Sequence, residues 1–328
     1  MNSRKKFISI LMIAVISTAV VPTSFSMEQK PSFFNKWGSR LFSGVYWTAG
    51  IGTSLSVIAN YLQDKKTVKG ILSDPLGEKD PEVLSFYHNT LKKVGIKNPE
   101  DIKIVYHIAD DASIGDTIIS LRPSRAGMIK MFIKNESAGD EFSESHFLSA
   151  ASVKRAANDI QFILGHEARH IINKDAYNRT CLDTFVPLSL SILMRNLIKS
   201  PWKTPSTSKE FFTKNCSKLL LASAGFLTST SLTSLYAVHR ERQADREAAY
   251  LLDPEIVRAG AESFKKTHQD EIDHAPEAYA FAEKYPLAFY ILTKHPLHTE
   301  RILYLNKIAD ELEAQQKPTT VINNPLSK

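Results

Sequence analysis

From Pro81 onward the apolar residues fall into two rhythms, and the change between them divides the chain. Val83, Leu84, Tyr87, Leu91 and Val94 recur every three or four positions, the spacing that lines up one face of an α-helix, and Gly95 follows as a helix cap would. Residues 102–108, 117–121 and 128–133 are short runs rich in Ile and other apolar residues, with turn formers between them. They predict three strands of a small antiparallel sheet. After a polar stretch at 140–145 the helical period returns over 150–172, where Ile160, Ile163, Leu164 and Ile171 are among the apolar positions. Two apolar stretches follow, 184–194 and 219–238, on either side of a basic segment carrying Arg195, Lys199, Lys203, Lys209, Lys214 and Lys218. A helix at 241–252, a helical region after Pro254 and the segment 295–308 complete the pattern, which is α+β and mostly helical.

The first 80 residues follow a different plan. Arg4, Lys5 and Lys6 precede an uncharged apolar run at 7–21 and the small-residue site Ser24-Phe25-Ser26, the anatomy of a secretory signal or, if uncleaved, of an N-terminal anchor. Either way the remainder is expected outside the cytoplasm, periplasmic or membrane-associated. Residues 27–80 read as a linker, within which the charge-free stretch 41–63 is either a membrane-associated helix or a loose surface helix. A turn-rich stretch at 73–81 marks the start of a domain expected to run over 81–316, and the tail 317–328 reads as disordered.

Composition narrows the function. The 328 residues carry a net charge of +6, but acidic residues interleave with the Lys and Arg and no nucleic-acid-binding motif is present, so a nucleic-acid partner is not expected. Cys181 and Cys216 are the two cysteines. They cannot form a disulfide framework; they read as free thiols or a single bridge, and their expected placement at opposite ends of the 181–238 apolar helical pair, beyond disulfide reach, favours free thiols.

The chemistry lies on the predicted helix at 150–172. His166-Glu167-Ala168-Arg169-His170 puts two imidazoles one helical turn apart, where both can reach one metal ion. Glu167 follows the first of them and can act as general base toward an open metal position. Downstream, Glu241-Arg242-Gln243-Ala244-Asp245 sets two carboxylates four residues apart on a second helix: Glu241 can be a third ligand, and Asp245 can accept the free N–H of a ligating histidine.

These two motifs, with Ile163-Leu164-Gly165 before the first and His295-Pro296 and Arg301-Ile302 after the second, resemble the M48 family of zinc metallopeptidases over about residues 83–308. The resemblance implies a zincin-like domain with a helical insert between the two metal-binding helices. It implies one Zn2+ per chain on His166, His170 and Glu241, Glu167 as catalytic base and Asp245 as support. His295 and Arg301 become candidates to stabilise the oxyanion. It also implies a polypeptide substrate bound as an extended strand on a sheet edge, expected at 128–133, and a role in envelope protein quality control. A zinc-binding pseudoprotease acting as membrane adaptor or chaperone is the alternative.

A shared metal constrains topology. Both motifs must lie on one side of any membrane, so 181–238 crosses it an even number of times: either as a distorted hairpin or not at all, with helices that dip into the surface.

Overall fold

The computed structural model describes residues 80–106, 112–114, 117–138, 149–199 and 208–316. The expected signal or anchor at 1–26, the stretch at 41–63, the turn-rich segment up to residue 79, the polar stretch at 140–145 and the tail at 317–328 lie outside them.

Helix α1 (Pro81–Lys93) forms where the sequence periodicity predicts it, and it buries Val83, Tyr87 and Leu91. Gly95 follows with φ of 93°, a left-handed conformation that a residue without a Cβ adopts at little cost. Strands β1 (Lys103–Tyr106), β2 (Ala112–Ile114) and β3 (Ile118–Leu121) make one sheet in the order β1-β3-β2. β3 is central and buried along its length, which suits its apolar run.

This sheet departs from the expected antiparallel one. β2 and β3 are antiparallel, with Ala112 opposite Ser120, but β1 runs parallel to β3, with Lys103 opposite Ile118. The third predicted strand, 128–133, is instead the middle of helix α2 (Pro123–Ala138). Strand alternation would mix Lys130 with Met128 and Phe132 on one face. Helical spacing buries Ala126 and Ile129, packs Phe132 and Ile133 on the core, and leaves Lys130 and Lys134 outside. The expected substrate-binding edge at 128–133 is therefore absent.

Helix α3 (Ala150–Ile172) is the centre of the domain. Ser149 caps it by accepting the backbone N–H of Ser152 at 3.2 Å. Val153, Ala157, Ile160, Leu164, Ala168 and Ile171 are all buried, in steps of three and four along one face. Around α3 pack α1, α2, β2 and β3 and two later helices, α5 (Ser208–Ala249) and α6 (Pro254–His274). Helix α4 (Asp175–Lys199) lies along α5. The short α7 (Pro276–Lys284) and α8 (Pro286–Thr293) lead into α9 (His298–Gln316), which closes on α6.

The 219–238 stretch and the Glu241 motif, read separately from the sequence, are one helix. α5 has 42 residues and so spans ~63 Å. Its C-terminal part buries Ala237, Val238, Ala244, Ala248 and Ala249, whereas Leu220, Leu227 and Leu232 farther up are exposed. Helix α4, with Pro187 inside it, exposes Tyr177, Phe185, Ile192 and Leu193. Among the described residues no helix is long and apolar enough to cross a membrane. Cys181 and Cys216 are free thiols.

Glycine governs how closely the helices meet. A Cβ on Gly260 of α6 would sit 2.4 Å from the ring of Phe162, one turn before the metal motif on α3. Gly260→Ala is therefore expected to destabilise by about 1–3 kcal/mol through overpacking, despite the better helix propensity of alanine. A Cβ on Gly127 in α2 would meet nothing within 4 Å, so Gly127→Ala should stabilise by about 0.5–1 kcal/mol. Urea unfolding of the two variants, with opposite shifts from wild type, checks the packing.

Candidate metal centre

The i, i+4 spacing on α3 stacks His166 and His170 edge to face, with ring centroids 4.6 Å apart at 85°. Their Nε2 atoms are 3.0 Å apart. From the last two turns of α5, Glu241 meets both: Oε2 is 3.5 Å from His166 Nε2 and Oε1 is 3.5 Å from His170 Nε2. One atom from each of these three residues lies within 4.8 Å of the others, the one such group among the described residues. Glu167 Oε1 is 4.0 Å from His166 Nε2, on the same cluster.

The donor set suits zinc. Two neutral imidazole nitrogens and one carboxylate are the ligands that borderline divalent ions take in sites that keep an open position. The fit extends outward, because the other nitrogen of each imidazole faces a carboxylate, the support such ligands require.

For His166 that carboxylate is Asp245, one turn beyond Glu241 and fully buried. Its Oδ1 is 2.8 Å from His166 Nδ1, a contact bent away from a straight N–H···O line. Arg301 of α9 grips the same carboxylate, Nε donating to Oδ2 at 2.8 Å and Nη2 to Oδ1 at 2.6 Å, and the Tyr304 hydroxyl donates to Oδ2. The guanidinium is itself buried and lies 3.7 Å over the Phe264 ring.

Charge follows this geometry. Burial works to raise the Asp245 pKa, but Arg301 and His166 outweigh it and hold the carboxyl at about 2. Burial works to lower the His166 pKa, and Asp245 and Glu241 push it up to about 10. Burial likewise opposes ionisation of Glu241, yet His166 and His295, with His170, keep its pKa well below the carboxylate range. His166 thus holds a proton between the carboxylates of Asp245 and Glu241, and a metal ion on its Nε2 would have to displace that proton.

The other predicted residues divide. His295 is at the site: its Nδ1 is 3.5 Å from Glu241 Oε2 and its side chain is 60% exposed. Arg301 makes its hydrogen bonds to Asp245 behind the site. Sequence reasoning misses Asp175, Arg240 and Tyr304. Asp175 Oδ2 is 2.7 Å from His170 Nδ1, and Arg240 holds Asp175. The available signal is an aspartate five positions after His170, beyond the helix end, and an arginine immediately before Glu241.

Comparison with known proteins gives a consistent family. The family described as peptidase family M48 matches residues 146–309, half of the chain. The protease HtpX of Vibrio atlanticus (strain LGP32) is 30% identical over 158 residues, 46% of this chain and 53% of that protein. The protease HtpX of Vibrio campbellii (strain ATCC BAA-1116) is 29% identical over 145 residues, 43% of this chain and 50% of that protein. The chain spans about half the length of the curated relatives it matches. No solved structure matches it.

Arg301→Met removes one partner of a buried ion pair and is expected to cost about 3 kcal/mol at pH 7 in chelator-treated protein. Because the folded pKa of Asp245 is depressed, the stabilisation is present above the ordinary value of 3.8 and is lost as pH falls through about 2. Urea unfolding as a function of pH should show wild type and variant far apart at neutral pH and converging in strong acid.

Proposed function

The chain belongs to peptidase family M48, and from that premise we propose that it is a zinc-dependent endopeptidase with His166, His170 and Glu241 as ligands of one ion. What carries the reading is the three donor atoms within 4.8 Å, two from α3 and one from α5, with the Glu167 carboxylate beside them. Zinc held there would supply a Lewis acid to polarise a carbonyl and lower the pKa of water to ~7.

The side chains do the rest. Glu167 takes one proton from the attacking water as its oxygen bonds to the carbonyl carbon and delivers that proton to the amide nitrogen, so that the C–N bond breaks to a carboxylic acid, which then gives its proton to solvent, and a free amine. His295, exposed beside Glu241, is placed to donate to the developing oxyanion. Arg301, a second candidate for that task from the sequence, is better read as a positioning residue, since its guanidinium is buried on Asp245. Asp245 in turn orients His166.

The substrate we propose is an extended polypeptide paired along β2. That strand is an edge of the sheet among the described residues and packs against α3. Main-chain pairing favours unfolded chains over a fixed sequence, in keeping with quality control of exported or membrane-associated proteins. Export rests on the basic and apolar pattern of residues 4–21. Contact with a membrane surface is supported by the apolar side chains that α4 and α5 expose.

Glu167→Gln is expected to lower casein cleavage by about 10²–10⁴-fold while about one zinc per chain is retained, since the base is not a ligand. Zinc content and cleavage are measured on the same samples. Equal activity in both proteins rules out Glu167 as base; zinc bound with wild type inactive replaces the peptidase with a zinc-binding adaptor.

A further inference from the structure

His170 is supported by a set of groups distinct from those that support His166. Its Nδ1 lies 2.7 Å from Asp175 Oδ2. The second oxygen of that carboxylate accepts from Arg240, with Nε at 2.6 Å and Nη2 at 2.5 Å. Asp175 is buried, so neither oxygen is left to water as its main partner. Arg240 is fixed in its turn: its Nη1 donates to Gln243 Oε1 at 2.6 Å, and Gln243 Nε2 donates to Glu247 Oε1 at 2.5 Å. Arg169 and Asn173, from the end of the helix that carries both histidines, donate to the other oxygen of Glu247 at 2.7 and 3.0 Å.

Two consequences follow from elementary chemistry. An ionised carboxylate only accepts, so the proton on a neutral His170 sits on Nδ1, and the lone pair is left on Nε2, the atom facing Glu241. Arg240 immediately precedes Glu241, so the group that holds the support of one ligand is on the same helical turn as another ligand. The turn that makes this possible is tight: Asn173 and Lys174 separate α3 from α4, Lys174 takes a left-handed φ of 53°, and Asp175 is the first residue of α4.

We propose that Asp175 and Arg240 are positioning residues of the metal centre, holding His170 as the tautomer that ligates through Nε2 and tying it to the backbone turn of Glu241. The proposal rests on the zinc reading above. Neither residue touches the reacting atoms. Loss of either leaves three ligands in place but lets the second imidazole turn, so affinity and ligand field change while the fold persists.

The test uses the full chain, stripped of metal and titrated with Co2+, with visible d–d absorption as signature and a competing chelator to measure affinity. Wild type should take up one equivalent, and His170→Ala should lose it. Asp175→Asn and Arg240→Met should bind cobalt about 10–100-fold more weakly with altered bands. Arg240→Lys, which keeps the charge but not the fork, should recover part of the affinity. Far-UV circular dichroism establishes that each variant is folded; if Arg240→Met is not, Asp175→Asn and Arg240→Lys decide. Wild-type affinity and spectrum in the folded variants, with only a lower melting temperature, would overturn the proposal and leave the pair a structural role. Failure of the zinc reading has a different mark: wild type taking up no cobalt, or His170→Ala binding as well as wild type.

Discussion

Three polar side chains from two helices, His166 and His170 on α3 and Glu241 of α5 more than seventy positions later, must be kept within 4.8 Å of one another in a largely buried place, and the rest of the structure answers to that requirement. Left alone, Glu241 and the imidazoles would turn toward water. What holds them is a pair of carboxylate–arginine supports, Asp245 with Arg301 behind His166 and Asp175 with Arg240 behind His170. Both supports draw on α5, one completed by α9 and the other by α4, so the cluster is held from α3, α4, α5 and α9 together. This is a costly arrangement for stability, because a buried charge pair gains little over an apolar one. Its return is a defined site.

The packing around α3 serves the same end. Small residues, Gly165 on α3 and Ala248 on α5, face each other and let the two helices come close enough for the Glu241 carboxylate and the imidazoles to meet. A Cβ on Gly165 would lie 2.9 Å from Leu252 and 3.2 Å from Val94, so even the residue before His166 is set by contact. Gly260 of α6 plays this part against Phe162, one turn earlier on α3. Beyond this core, α4 and the upper part of α5 carry exposed apolar side chains, and their base joins the metal centre through Asp175 and Arg240.

How much of this is legible in the sequence depends on whether the deciding interaction is local. Helices α1 and α3 carry unbroken three-and-four spacing and are readable, as is the proximity of His166 to His170, which one helical turn dictates. The pairing of Glu241 with Asp245 on one face is likewise a matter of spacing. The segment 128–133 misleads because six apolar-rich residues fit either period. Its helix is decided by the core that receives Ala126 and Ile129, which is tertiary information. Parallel pairing of β1 with β3 depends on which edge of the β2–β3 hairpin β1 joins, and no local pattern encodes that. Asp175 and Arg240 escape notice because each looks like an ordinary charged residue until the turn at Lys174 and the line of α5 bring them together. Arg301 stands out by its motif, but its partner is visible only in the fold.

If one zinc ion takes two imidazoles and a carboxylate from this cluster, X-ray absorption at the zinc edge, on full-length protein loaded with a single equivalent, will show a first shell of nitrogen and oxygen at ~2.0–2.2 Å, with the outer-shell scattering of two imidazole rings and no sulfur. A sulfur shell at ~2.3 Å, which would put the ion on Cys181 or Cys216, or a shell without imidazole scattering, would rule that site out.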